Sequence, residues 1–124
     1  MDTEKYKELY LTEAYKYLVS LEDAAVALRS RRADTESFQR GLRAAHTLRG
    51  MSATMGYEQL ARLGGAVEML LGGAEHGTST SRSGLADILT ECTATLRELL
   101  ADVAAGDKRE VDLTPLLSQM KALA

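Results

Sequence analysis

Apolar side chains recur at intervals of three and four from Tyr10 to Leu28, and the same spacing returns in four later stretches of the chain. That spacing gathers side chains onto one stripe of an α-helix, whereas a half-buried strand would need strict alternation. The one proline, Pro115, lies near the end, so no residue upstream of it lacks the amide donor of a helical ladder. β-Branched and aromatic residues are too scarce to write a run of strands. The spacing therefore predicts an all-α chain.

Punctuation divides the pattern into five helices. The stripe Tyr10, Ala14, Tyr17, Leu21, Ala24 and Leu28 predicts a first helix from Thr3 to Arg31. Asp34 and Thr35 offer N-cap oxygens for a second, running from Thr35 to Met55 with the stripe Phe38, Gly41 or Leu42, Ala45, Leu48, Ser52 and Met55, and stopped by Gly56. A third opens at Tyr57 and carries Leu60, Leu63, Val67 and Leu70 until the Gly72-Gly73 pair stops it. From there to Gly84 almost nothing is apolar, and the stretch reads as a mobile loop. Ser83 is the expected cap of a fourth helix bearing Leu85, Ile88 or Leu89, Cys92, Leu96, Leu99 and Val103, closed by Gly106. Asp112 or Thr114 caps a short fifth helix containing Leu113, Leu116, Leu117, Met120 and Leu123, with Pro115 tolerated in its first turn.

Four such helices with mostly short connections specify an antiparallel, up-and-down four-helix bundle over residues 1–106. Residues 107–124 then supply a linker plus the short C-terminal helix, either packed on the bundle or leading into a longer polypeptide. A chain of 124 residues, 45% hydrophobic, is long enough for one domain with a real core. Fifteen basic against eighteen acidic residues lack the excess that a nucleic-acid backbone demands of its partner. A single cysteine forms neither an internal disulfide nor a multi-thiolate zinc site, which fits a reducing cytoplasm. No apolar run approaches the ~18 residues of a membrane span, and Met1 to Lys7 is too polar for a secretory signal. No direct membrane contact is expected.

The chain has no glycine-rich phosphate loop, no paired histidine–carboxylate metal motif and no nucleophile elbow, so nucleotide or metal binding by this chain alone is not expected. Of its two histidines, His76 lies in the polar loop and reads as a solvated side chain. His46 sits mid-helix, on the border between the apolar stripe and the polar side, where a histidine is often nothing more than a boundary residue. Its company is less ordinary. Gly50 lies one turn on, at a cost of ~1 kcal/mol relative to alanine, and Arg49 lies at i+3.

His46 is ten residues before Gly56 and Glu68 twelve after it. At ~1.5 Å per residue the two fall within about 3 Å of one level on antiparallel helices. Glu68 is then either a solvated helix residue or the partner of His46. In the second case an imidazole N–H donated to the carboxylate fixes the tautomer and leaves the other ring nitrogen as a nucleophile. Adjacent Gly64 and Gly65 cost ~2 kcal/mol together. They reflect either close helix packing or, with Gly50, a low surface through which another protein reaches the imidazole.

The segment from Leu42 to Leu71, LRAAHTLRGMSATMGYEQLARLGGAVEMLL, resembles the histidine-containing phosphotransfer (HPt) domain of CheA-type chemotaxis kinases. The resemblance rests on His46-Thr47-Leu48-Arg49-Gly50, on Gly56-Tyr57 and on Glu68, and extends to YLTEAYKYLVSLEDA in the first helix. It implies that His46 accepts the γ-phosphoryl group of ATP at Nε2 from a separate kinase domain, usually across a dimer, and passes it to an aspartate of a CheY- or CheB-like response regulator. It further implies that Glu68 orients the imidazole through Nδ1 and that Arg49, where the family has lysine, supplies charge to the phosphoryl group. ATP and magnesium would belong to the kinase domain, and magnesium to the regulator, leaving no cofactor here. The family's second histidine, three residues before the glutamate, is Gly65 in this chain. The resemblance therefore implies a smaller polar network, a less firmly held Glu68 and slower phosphorylation.

Three further readings stand beside this one. A free-standing HPt protein of a multistep phosphorelay would use the same chemistry with regulators on both sides. A non-catalytic helical adaptor would bind a partner helix with affinity indifferent to His46. A metal site within the bundle would need facing glutamate and histidine sets that two histidines on different elements do not supply.

Overall fold

Five helices carry residues 3–30, 35–75 and 82–123, which are the residues described by this computed structural model. They are α1 (Thr3–Arg29), α2 (Thr35–Thr54), α3 (Glu58–Glu75), α4 (Arg82–Ala105) and α5 (Thr114–Leu123), with no strand among the described residues. α1 packs on α2 and α4, and α3 packs on the same two helices, which closes a ring of four without a diagonal contact. The fold is an all-α bundle with a short C-terminal helix. No helix among the described residues is long and apolar enough to cross a membrane.

The α2–α3 hairpin is set by its turn. Gly56 has φ +77°, a left-handed conformation that costs a residue without Cβ least. Its N–H donates to Ala53 O at 3.1 Å, and the Tyr57 N–H donates to Ser52 O at 2.9 Å, the paired bonds of a Schellman cap. The same pair recurs at the end of α4, where Gly106 donates to Val103 O and Asp107 to Asp102 O. These two stops fall where the glycines predict.

Burial follows the predicted stripes with corrections of a few residues. In α1 the fully buried position is Leu18, not Tyr17, because the stripe steps from Ala14 by four and then by three to Leu21. Leu60, Leu63, Val67 and Leu70 are all buried, and Leu71 joins them. α3 does not stop at Gly72-Gly73 but runs on to Glu75. Neither glycine takes a positive φ, so both continue the helix rather than turn it, and a Cβ at Gly72 would lie 3.8 Å from Leu42 Cδ1 of α2. α4 begins at Arg82, which puts Ser83 inside the helix instead of at its cap. α1 ends at Arg29, two residues earlier than predicted. Arg31 and Asp34, and residues 76–81 of the predicted loop, lie outside the described residues.

Where the turn of α2 leaves α1, the Tyr10 hydroxyl and Ser52 Oγ share a buried hydrogen bond of 2.7 Å. Tyr10 also meets Tyr57 edge to face, with centroids 5.0 Å apart. Burial pushes the Tyr10 phenol up to about 12, so it stays neutral and either hydroxyl can donate to the other. Across the opposite seam Arg97 makes a two-pronged contact with Glu22, at 3.0 and 2.8 Å, that ties α4 to α1.

α5 packs on α3 and α4. Leu113 and Met120 are buried, with Leu116, Leu117 and Leu123 partly so. The approach to α5 is held by Gln59, whose amide accepts from the Val111 N–H at 3.0 Å and donates to the Val111 carbonyl. Asp112 Oδ1 accepts from the Thr114 N–H at 3.0 Å, satisfying a donor that the first turn leaves open. That bond holds the Asp112 carboxyl below its ordinary range.

Beneath α5 the buried Cys92 thiol lies 3.5 Å from Met120 Sδ. Burial pushes it up to about 12, and the thiolate is the reactive form. The folded protein should therefore resist a thiol reagent such as DTNB. Met120→Ala, a truncation worth about 2–5 kcal/mol, should loosen α5 and speed Cys92 labelling roughly tenfold or more. Equal labelling rates in the two proteins would show that α5 does not guard the thiol.

Candidate functional site around His46

The α2–α3 hairpin brings His46 and Glu68 together as the residue count from Gly56 predicts. His46 Nδ1 lies 2.7 Å from Glu68 Oε2, with the imidazole 62% exposed and the carboxylate 26%. A carboxylate only accepts, so Nδ1 is the donor in this bond, and in the neutral ring the lone pair is then on Nε2. Nε2 has no hydrogen-bond partner among the described residues.

Arg49 completes a triad. Its Nε donates to the other carboxylate oxygen, Glu68 Oε1, at 2.9 Å. Its Nη2 also comes within 3.3 Å of His46 Nδ1, but two N–H groups cannot donate to each other, so the shorter bond to Glu68 decides the proton. The guanidinium predicted to serve a phosphoryl group is thus engaged with Glu68. The glycine at 65 does not leave the carboxylate loosely held, because both of its oxygens have partners.

The three glycines do different things. Gly50 is exposed, and a Cβ there would meet nothing within 4 Å. Gly64 is buried, and its Cβ would stand 3.4 Å from both Arg49 Cα and Arg49 N. It faces the Arg49 backbone across the helix pair, so it offers no surface to a partner. Gly65 lies under the Arg49 side chain, 3.0 Å from Cδ for an added Cβ. Of the low surface predicted from all three, only the part at Gly50 is open.

Met69, next to Glu68 in sequence, is 78% exposed. It falls one turn beyond Gly65 on the same side of α3. It lies off the apolar stripe of Leu60, Leu63, Val67 and Leu70, and that mismatch is its one signal in the sequence. His76 lies outside the described residues. Among the described residues no cluster of histidine, cysteine and carboxylate groups could hold a metal ion.

A family model described as Hpt domain matches residues 5–106. The chain belongs to the Hpt domain family. This Hpt domain is 30% identical over 116 residues to the chemotaxis protein CheA of Listeria monocytogenes, covering 94% of this chain and 19% of that protein. It is 29% identical over 120 residues to CheA of Bacillus subtilis, covering 97% and 18%, and 28% identical over 118 residues to CheA of Halobacterium salinarum, covering 95% and 18%. The chain thus spans about a fifth of the length of the curated relatives it matches. No solved structure matches it.

The glycine assignments separate by stability. Gly50→Ala adds a methyl in open space within a helix and should stabilise the Hpt domain by ~1 kcal/mol. Gly64→Leu must push α2 and α3 apart and should cost about 1–3 kcal/mol. Urea denaturation of both variants checks the pair, and equal effects would mean that the helices do not depend on Gly64 for their spacing.

Proposed function

We propose that His46 is the phosphoryl carrier of this Hpt domain, receiving the γ-phosphoryl group of ATP from a CheA-type kinase domain and passing it to a response-regulator aspartate. The reading rests chiefly on one observation. An exposed imidazole is hydrogen-bonded at Nδ1 to the Glu68 carboxyl group 2.7 Å away, which leaves Nε2 as the ring nitrogen within reach of a partner.

In the first step the Nε2 lone pair attacks the γ-phosphorus in line. The N–P bond forms as the bond from that phosphorus to the β–γ bridging oxygen breaks, and ADP leaves. Positive charge developing on the ring is balanced by Glu68, which holds the Nδ1 proton. In the second step a carboxylate oxygen of the regulator attacks the phosphorus, and the N–P electron pair returns to Nε2. Such transfers need positioning and charge neutralisation more than covalent help from the acceptor. Magnesium and most of the positive charge come with the kinase and the regulator, so the domain needs no cofactor of its own.

The names of the relatives support chemotaxis as the setting. Within it we place the domain in the cytoplasm, phosphorylated in trans within a kinase dimer, and brought near membrane receptors only through other parts of a longer protein. Open Gly50, one turn from His46, and exposed Met69, next to Glu68 in sequence, are the surface we assign to a docking regulator.

Incubation with a CheA-type kinase core and labelled ATP should yield an acid-labile, base-stable adduct that His46→Gln abolishes. Label persisting in that variant would refute the assignment. Glu68→Ala should leave the helical content intact and slow phosphorylation by about tenfold or more, the worth of a hydrogen bond to a charged group. An unchanged rate would show that the pairing plays no part in the transfer.

A further inference from the structure

The side chain of Arg49 reaches Glu68 along a route that passes close over Gly65. Its Cδ lies 3.0 Å, and its Cγ 3.9 Å, from where a Cβ at 65 would stand. The first of these distances is shorter than unstrained carbon atoms keep. The stem therefore lies in the trough left by the glycine. At its far end Nε meets Glu68 Oε1 at 2.9 Å while Glu68 Oε2 receives the His46 Nδ1 proton at 2.7 Å. The route starts beside Gly64, where an added Cβ would stand 3.4 Å from Arg49 Cα and N.

We infer that Arg49 and Gly65 form one positioning device: the trough at Gly65 seats the arginine stem, and the seated guanidinium holds Glu68 in the orientation that fixes the His46 tautomer. The inference rests on the reading of His46 as the phosphoryl acceptor only for its effect on rate, not for its effect on the ring. Arg49 is then a positioning residue acting through Glu68. Its Nε is committed to Glu68, so it holds the carboxylate whatever its Nη donors meet. Lysine at 49 would lack the Nε donor that makes this contact.

The test is a double-mutant cycle with two readouts. Gly65→Val fills the trough, Arg49→Ala removes its occupant, and the double variant does both. The first readout is the fraction of His46 in the Nδ1–H tautomer, from imidazole 15N chemical shifts of the unphosphorylated protein. The second is the rate of phosphorylation by a CheA-type kinase core. Each single variant should lower the Nδ1–H fraction and slow phosphorylation about two- to fivefold, the scale of a partly exposed ion pair. The double variant should be no worse than Arg49→Ala alone. If Gly65→Val proves unfolded by circular dichroism, Gly65→Ala takes its place, with a smaller effect of the same sign.

A tautomer fraction untouched by the substitution at 65, or losses that multiply in the double variant, would overturn the inference, because a purely structural glycine acts independently of Arg49. A tautomer shift in a protein that never accepts phosphate would uphold the positioning device and sink the function proposed for His46.

Discussion

The bond between His46 Nδ1 and Glu68 Oε2 depends on two helix axes being held at one spacing and one register. Register comes from the turn. Gly56, in its left-handed conformation, ends α2 in a Schellman cap and starts α3 within two residues, so levels on the two helices are locked by residue count. Spacing is close at Gly64, where an added Cβ would already touch the Arg49 backbone at 3.4 Å, leaving no room for a larger side chain. A slip of one residue in either helix would rotate its side chains by about 100° and part the pair. The exposed chemistry is therefore set by buried geometry. A bundle suits this role because its helices share one core, here Leu48, Leu63, Val67, Leu96 and their neighbours, and cannot shift singly without opening cavities.

Most of this was legible in the sequence, for reasons that can be located. Helical period 3.6 and glycine's tolerance of positive φ are local properties, and they carry the all-α class, the stops at Gly56 and Gly106, and the facing of His46 and Glu68. The misreadings occur where a local signal is overruled by what packs against it. Gly72-Gly73 looks like a stop, but α3 continues through it because Leu42 lies close by and neither glycine turns left-handed. Tyr17 and Leu18 are adjacent and both apolar enough to serve the stripe, and only the neighbouring helices choose between them. Gly64 and Gly65 look alike in sequence, yet one meets backbone and the other a flexible side chain. Arg49 was assigned by its charge, whereas its partner is decided by where its stem can lie.

The segment after α4 follows a different logic. Residues 107–113 have too few apolar groups to fold locally, and they are bound instead by side chains of the bundle. Gln59 pairs with both backbone groups of Val111, as a neighbouring strand would, and Arg109 returns to Asp102 at 3.0 Å. These contacts deliver Leu113 and Met120 to the groove between α3 and α4. The family match ends at residue 106, and the packed α5 lies beyond it. α5 also packs on α3 and α4 and not on α2. A segment leading away from α5 therefore starts from helices that do not include the one bearing His46.

That arrangement bears on how one imidazole could serve two partners in turn. A donor and a receiver domain must each bring a phosphorus or an aspartate in line with Nε2, so both need the same approach, and neither can use it while the other is docked. An acceptor held by its own second helix meets this condition better than one completed by a partner residue, because the ring keeps its tautomer and direction in the interval between dockings. Glu68 and Arg49 come from the same hairpin as His46, so no partner has to supply them. On the function proposed for His46, each partner would then contribute charge and magnesium at the moment of transfer. The domain's own contribution would be the constancy of the hairpin geometry that holds His46, Glu68 and Arg49 together.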